Sequence, residues 1–390
     1  MTASDLTLPS ATRLIHIGFP KTGTTFVQGA MLQARPKLGE VGVVYPGKER
    51  YHKEAGIYIA GATGRLGDPP STETHWNTLV RQIKAAGDQR VLISSEWMAE
   101  TDDAGIARVV NELGDGQAHI VATLRPIVKI LPSSWQQYLQ NGHRFHWEKW
   151  LHGVLLEPPY DKPTPSFWRR HRHDEVLARW AKIAGPENVT AIIVDSSDHE
   201  LLLRQFEQML AMPAGFLAPE PPAKDNRSLT WPEAEMVRRV NGVFKDRGWP
   251  DSLYRSVVRQ GIVSRLAKMR PAAGEMPKIP MPDWAAERAA EIGAEFARNI
   301  ATLGIRVVGD LDSLGAQPAP TGITEAPPTL VPAHIAAEAL IAAIARSLEA
   351  GKIDSKAASV TLKKEAPPEQ KMPPALRRSL LRTRRRIKNY

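Results

Sequence analysis

Eight consecutive residues, Gly18-Phe19-Pro20-Lys21-Thr22-Gly23-Thr24-Thr25, place two glycines, one lysine and three threonine hydroxyls between an apolar run at 14–17 and an apolar stretch at 26–32. The run reads as a buried strand and the stretch as a helix, so the eight residues form a turn that opens a helix. At such a turn several backbone N–H groups converge on one point, with the positive end of the helix dipole behind them. Lys21 adds a full charge, and Thr22, Thr24 and Thr25 add hydroxyl donors. The chemistry on offer is capture of a tetrahedral anion; a turn without a ligand is the competing reading. A nucleoside triphosphatase loop reads G-x-x-x-x-G-K-[ST], with lysine after the second glycine and a hydroxyl for magnesium. Here Lys21 precedes Gly23, and no G-K-[ST] follows.

The pattern Pro20-Lys21-Thr22-Gly23-Thr24-Thr25, late in a first strand–turn–helix, resembles the 5′-phosphosulfate-binding loop of sulfotransferases. Those enzymes use the donor 3′-phosphoadenosine-5′-phosphosulfate (PAPS). The resemblance covers roughly residues 11–314 and implies that Lys21, Thr22, Gly23, Thr24 and Thr25 bind the donor. It also implies that Arg125, at the end of the 119–124 run, and Ser133 bind the 3′-phosphate of PAPS. Ser134 is the alternative to Ser133, because Pro126 follows Arg125 directly. Arginine suits a phosphate through two parallel hydrogen bonds. Arg227, in Asn226-Arg227-Ser228 before a helix at 233–244, is expected to cover the nucleotide or to lie in solvent beside an N-cap at Ser228 or Thr230.

Transfer of a sulfuryl group to a hydroxyl needs a general base. Glu96 ends the 90–95 run, where a carboxylate next to the loop is well placed; glycan sulfotransferases often carry a glutamate in this part of the fold. A pairing of Glu96 with Lys21, or a cap on Thr101 and its helix, is the competing reading. Lys21 is expected to meet the charge that builds on the departing phosphate. The scheme requires no metal. The implied activity is PAPS-dependent sulfation of a carbohydrate, glycolipid or small-molecule acceptor. A P-loop small-molecule kinase and a non-catalytic membrane-associated protein of the same fold are the alternatives.

Short apolar runs at 14–17, 90–95, 119–124, 189–194 and 305–308, without polar alternation, suit a parallel sheet covered on both faces. Helical patterns lie between them, at 106–113, 176–184, 200–210 and 284–303. The alternation predicts a doubly wound α/β fold; with the resemblance it becomes a P-loop-like three-layer α/β/α fold with a central parallel sheet. Residues 136–187, rich in Trp, His and Arg, read as a helical insertion on the acceptor side. His171, His173 and Asp174 in that insertion offer a weak metal pattern. Trp147, Trp150, Trp168 and Trp180 suit either an acceptor groove or the core. His16, inside the first run, reads as packed.

The main domain is expected to span 11–314, followed by a proline-rich linker at 315–332, an alanine-rich helix at 333–350 and a largely disordered basic tail at 351–390. Of the 390 residues, 352–390 hold twelve Lys or Arg and three Asp or Glu, which accounts for the whole net charge of +9. The body is neutral, so its composition does not point to specific nucleic-acid binding. The basic segment 376–388 suits an anionic membrane surface, where each basic residue gains about 1 kcal/mol. No cysteine is present, which excludes disulfides and thiol catalysis. Residues 1–10 show no signal-peptide pattern, and the expected location is cytoplasmic, or peripheral to the inner membrane face.

Overall fold

The computed structural model describes residues 6–114, 116–156, 164, 166–195, 197–219, 227–269, 278–317 and 327–351. Its centre is one sheet of β1 (Arg13–His16), β2 (Val43–Val44), β3 (Arg90–Ser94), β4 (Ala118–Leu124), β5 (Val189–Ile193) and β6 (Arg306–Val308). The strand order is β2-β3-β1-β4-β5-β6, and every neighbouring pair is parallel. Successive strand residues face opposite ways. Leu14, Leu92, Val121 and Ile192 enter one hydrophobic cluster, while Ile15, Ile93, Ile120 and Ala191 enter another. Both faces are therefore dry, which explains why the strands carry no polar alternation.

The helices are α1 (Thr24–Ala34), α2 (Lys53–Ile59), α3 (Glu73–Lys84), α4 (Asp103–Glu112), α5 (Ile127–Gln140), α6 (Trp147–Leu155) and α7 (Ser166–His171). They continue as α8 (His173–Ala184), α9 (His199–Met209), α10 (Trp231–Asp246), α11 (Asp251–Leu253), α12 (Ser264–Lys268), α13 (Asp283–Ala301) and α14 (Ala333–Gly351). A π-helical stretch, Tyr254–Val263, joins α11 to α12. Val27 and Met31 of α1 pack with Leu203 and Phe206 of α9 on one face. The other face is covered by residues such as Ile106 of α4, Leu131 of α5, Trp180 of α8 and Phe296 of α13. The architecture is α/β with a parallel central sheet, compatible with three α/β/α layers.

From β1 the chain travels outward to β2 and β3, then crosses to β4 and on to β5 and β6. Connections leave β1 and β4 in opposite directions, which opens a crevice beyond their carboxyl ends. Register then decides what meets there. His16 lies opposite Ser94 on β3 and Val121 on β4, so the turn after β1 stands beside Glu96 on one side and Thr123 and Arg125 on the other.

Three features depart from the sequence expectation. β2 is only two residues long and pairs at the sheet edge beside β3. Helix α5 runs through Pro132, so the expected onset of an insertion at 136 falls inside it. Helix α14 buries Ile335 and Ala339 in the main core and pairs Glu338 with Arg265 at 2.8 Å. The compact unit consequently runs to residue 346, past the expected boundary at 314. The second unit, 347–390, includes the end of α14. The basic segment 376–388, the rest of 352–390 and the linker residues 318–326 lie outside the described residues. No helix among the described residues is long and apolar enough to cross a membrane.

Candidate functional site

The turn after β1 is built from unusual backbone. Gly18, Lys21 and Gly23 have φ values of 38°, 70° and 93°. Glycine adopts this left-handed region freely; a lysine does so at a cost of about 1–2 kcal/mol. A Cβ on Gly18 would collide with Thr24 Cγ2, and one on Gly23 would stand 3.0 Å from Leu202 Cδ2. Helix α1 starts from Gly23 with no capping side chain. Among the described residues, the N–H groups of Thr22, Gly23, Thr24 and Thr25 find no acceptor. Open donors at a helix start are the local requirement for an anion cradle.

A buried polar chain holds this turn to the sheet. Gln28 Nε2 donates to Ser94 Oγ at 3.0 Å, and Ser94 Oγ stands 3.0 Å from His16 Nδ1. His16 Nε2 reaches Thr123 Oγ1 at 3.4 Å, Thr123 reaches Thr22 Oγ1 at 2.8 Å, and Thr22 donates to the Phe19 carbonyl at 2.6 Å. One assignment of protons satisfies every link. Ser94 donates to Nδ1, His16 donates from Nε2, Thr123 donates to Thr22, and Thr22 donates to Phe19. It requires a neutral His16, whose pKa burial pushes down to about 3. His16 is thus a packed residue. Thr22 spends its hydroxyl inward and has only its N–H to offer a ligand.

Lys21, in the turn, and Glu96, bonded to Thr24 of the same turn, are electrostatically coupled. Burial lowers the Lys21 pKa from its ordinary value; Glu96 nearby opposes that shift and Arg65 adds to it. Glu96 begins the 3₁₀ turn Glu96–Glu100 and accepts a hydrogen bond from Thr24 Oγ1 at 3.3 Å. Thr25 is exposed beside it. Tyr51 belongs to the same group, its phenol pushed up to about 12, chiefly by burial.

Arg125 follows β4 and lines a cavity of about 1060 Å³ beyond β4, β5 and β6. Its Nε is buried with no partner, and burial lowers its pKa. Lys129, one turn into α5, lines the same cavity; sequence reasoning missed it. Ser133 does not line it. Its hydroxyl donates to the Ile130 carbonyl of its own helix at 2.9 Å, and Ser134 is buried.

Arg227 is neither a nucleotide cover nor a solvated side chain. All five of its N–H donors are committed: two to the Glu233 carboxylate and the others to carbonyls of Ser228, Leu266 and Met269. Glu233 is 1% exposed and forms a capping box with Thr230, so this pair anchors the start of α10. Lys21 and the backbone of 22–25 stand in the turn after β1 and Arg125 lines the cavity beyond β4, whereas Ser133 bonds its own helix and Arg227 is spent on the fold.

The insertion supplies core. Trp150 and Trp180 are fully buried, and the Trp147, Trp150 and Trp168 indoles donate to Pro280, Thr164 and Val154. Asp174 is held by Arg172 and Asn299, and the His173 ring nitrogens are buried without partners. Among the described residues no group of three His, Asp or Glu side chains could hold a metal ion.

The cavity-lining residue least visible in the sequence is Arg65. It lines a second cavity, of about 680 Å³, between the 60–68 loop, the turn at Trp97 and α5. Gly61, Gly64 and Gly67 in that loop all have positive φ, at 59°, 74° and 75°. Their three-residue spacing was the available signal.

No family model, curated protein or solved structure matches this chain. Fold and site together define an α/β protein whose parallel sheet presents an open-donor turn, a lysine and a carboxylate at its switch point.

Proposed function

We propose that this protein is a sulfotransferase of P-loop-like three-layer fold, moving a sulfuryl group from PAPS to a hydroxyl of a carbohydrate, glycolipid or small-molecule acceptor. The observation that carries the reading is a lysine-bearing turn whose N–H groups have no acceptor and whose Thr24 hydroxyl is bonded to the Glu96 carboxylate. The residues present fit the donor. The open N–H groups of 22–25 match a 5′-phosphate, and the orphaned Arg125 Nε, with Lys129 beside it, matches a second phosphate. In the reaction the acceptor oxygen bonds to sulfur while the bond from sulfur to the phosphate oxygen breaks, and that oxygen keeps the electron pair.

Glu96 takes the acceptor proton, within reach of the Thr24 hydroxyl that orients its carboxylate. Lys21 and the turn N–H groups meet the charge that develops on the phosphate, in a site already partly withdrawn from water. Adenosine 3′,5′-bisphosphate and the sulfated acceptor leave. A cytoplasmic enzyme, brought to the inner membrane face by its basic segment, is the setting that the sequence favours.

Calorimetry with adenosine 3′,5′-bisphosphate, with and without magnesium and against ATP, tests the reading on wild type and Lys21→Ala. Metal-independent binding that ATP does not match, weakened in the variant, is expected. Magnesium-dependent preference for ATP would replace it with the kinase, and binding of neither with a non-catalytic role.

A further inference from the structure

The cavity beside the 60–68 loop has an uneven charge balance. Its carboxylates are mostly neutralised from outside or within. Asp68 is held by Lys53, Arg255 and Arg259. Glu100 pairs with Arg170, whose guanidinium lies over the Trp97 ring at 4.6 Å. Asp251 is exposed and lines an adjoining cavity as well. Two guanidiniums in the lining, Arg65 and Arg169, have no ion pair among the described residues, and Arg65 Nε is buried without any acceptor. A desolvated guanidinium donor without an acceptor is a poor structural element and a good anion ligand.

Position links this cavity to the reaction. Trp97, which lines the cavity, follows Glu96 in the same 3₁₀ turn, and Glu96 is bonded to Thr24 of the open-donor turn, so the cavity adjoins that turn. The lining also leaves one donor and one acceptor open, Trp97 Nε1 and Asn141 Oδ1, both buried without partners. That combination suits a polyhydroxylated molecule better than an apolar one. The adjoining cavity, of about 550 Å³, shares Leu66, Asn141, His143 and Asp251 and gives such a molecule room to continue.

We propose that this cavity binds a saccharide acceptor through a carboxylate or sulfate group that it already carries, with Arg65 and Arg169 as the recognising pair. The proposal rests on the sulfotransferase reading for the word acceptor, but not for the anion site itself. Arg65 is a specificity-determining residue: it selects which hydroxyl reaches Glu96 by fixing the anion beside it.

The experiment titrates inorganic sulfate into full-length protein by calorimetry, in wild type, Lys21→Ala, Arg65→Gln and Arg169→Gln. Thermal melting of each variant confirms folding. Sulfate binding that survives Lys21→Ala and weakens by about tenfold or more in Arg65→Gln is expected. Equal binding in wild type and Arg65→Gln overturns the site. A second arm competes bound sulfate with a glucuronic-acid-terminated disaccharide and with its glucose-terminated counterpart. Competition by the acidic sugar alone is expected; equal competition, or none, overturns the saccharide assignment. Failure to bind adenosine 3′,5′-bisphosphate would sink the sulfotransferase reading while leaving the sulfate result legible.

Discussion

Replacing Lys21 by glycine and by methionine separates what this residue costs the fold from what it gives the site. Lys21 has φ 70°, a left-handed conformation worth about 1–2 kcal/mol of strain for a side chain with a Cβ. Glycine releases that strain but gives back about 0.5–1 kcal/mol through the freedom of its unfolded chain. Methionine keeps the strain and the approximate length while discarding the charge. Lys21→Gly should therefore be more stable than Lys21→Met by about 0.5–1 kcal/mol, a melting difference of about 0.7–1.4 °C. Both lose the same charge-assisted contact, so both should bind adenosine 3′,5′-bisphosphate about 10- to 100-fold more weakly. Differential scanning calorimetry and titration calorimetry read the two effects on the same samples. A Lys21→Gly protein less stable than Lys21→Met would show that the turn is not strained at this residue. Binding within twofold of wild type in either variant would remove Lys21 from the site.

Glu96→Gln should lower kcat by about 10²- to 10⁴-fold while leaving bisphosphate affinity within a few-fold; an unchanged kcat would move the base elsewhere. Arg227→Met should destabilise by about 3–5 kcal/mol, since it strands the buried Glu233 carboxylate. Denaturant unfolding checks it, and a stable protein with weakened nucleotide binding would refute the structural role. Burial holds His16 and His173 down to about 3, against 6.5 in the unfolded chain. Below pH 6.5 the unfolded state therefore binds more protons. Stability is full above that pH and falls as pH drops towards 3, by about 1.4 kcal/mol per pH unit for each histidine. His173→Phe, next to Phe19 and Phe296, should flatten that slope by one proton without loss at pH 7. An unchanged slope would show that His173 is not neutral in the fold.

Much of this arrangement was legible because it depends on local pattern. Five of the six strands are short apolar runs, four of them buried on both faces, and the Gly18–Thr25 turn declares itself by residue type. β2 was not legible, because two residues carry no period. The path of α5 through Pro132 was hidden, because proline ordinarily marks a helix boundary. Glu96 could be placed from the end of its strand, whereas Arg65 reaches its cavity only when three glycines fold a loop against α5. Arg227 misled for a related reason: an arginine in a loop looks available until a buried glutamate three residues into the next helix is seen to occupy it. Ser133 stands at the expected spacing, but its helix geometry directs the hydroxyl to Ile130.

The polar chain from Gln28 to Phe19 has an electrical consequence. Its proton-donating groups all give in one direction, from Ser94 through His16, Thr123 and Thr22 to the Phe19 carbonyl. Their bond dipoles add head to tail, with the positive end beneath the turn, alongside the dipole of α1. A neutral layer thus contributes a positive potential where an anion would sit, without any group that must be protonated to supply it. Because His16 stays uncharged down to about pH 3, that potential is constant across the range in which ordinary histidines switch.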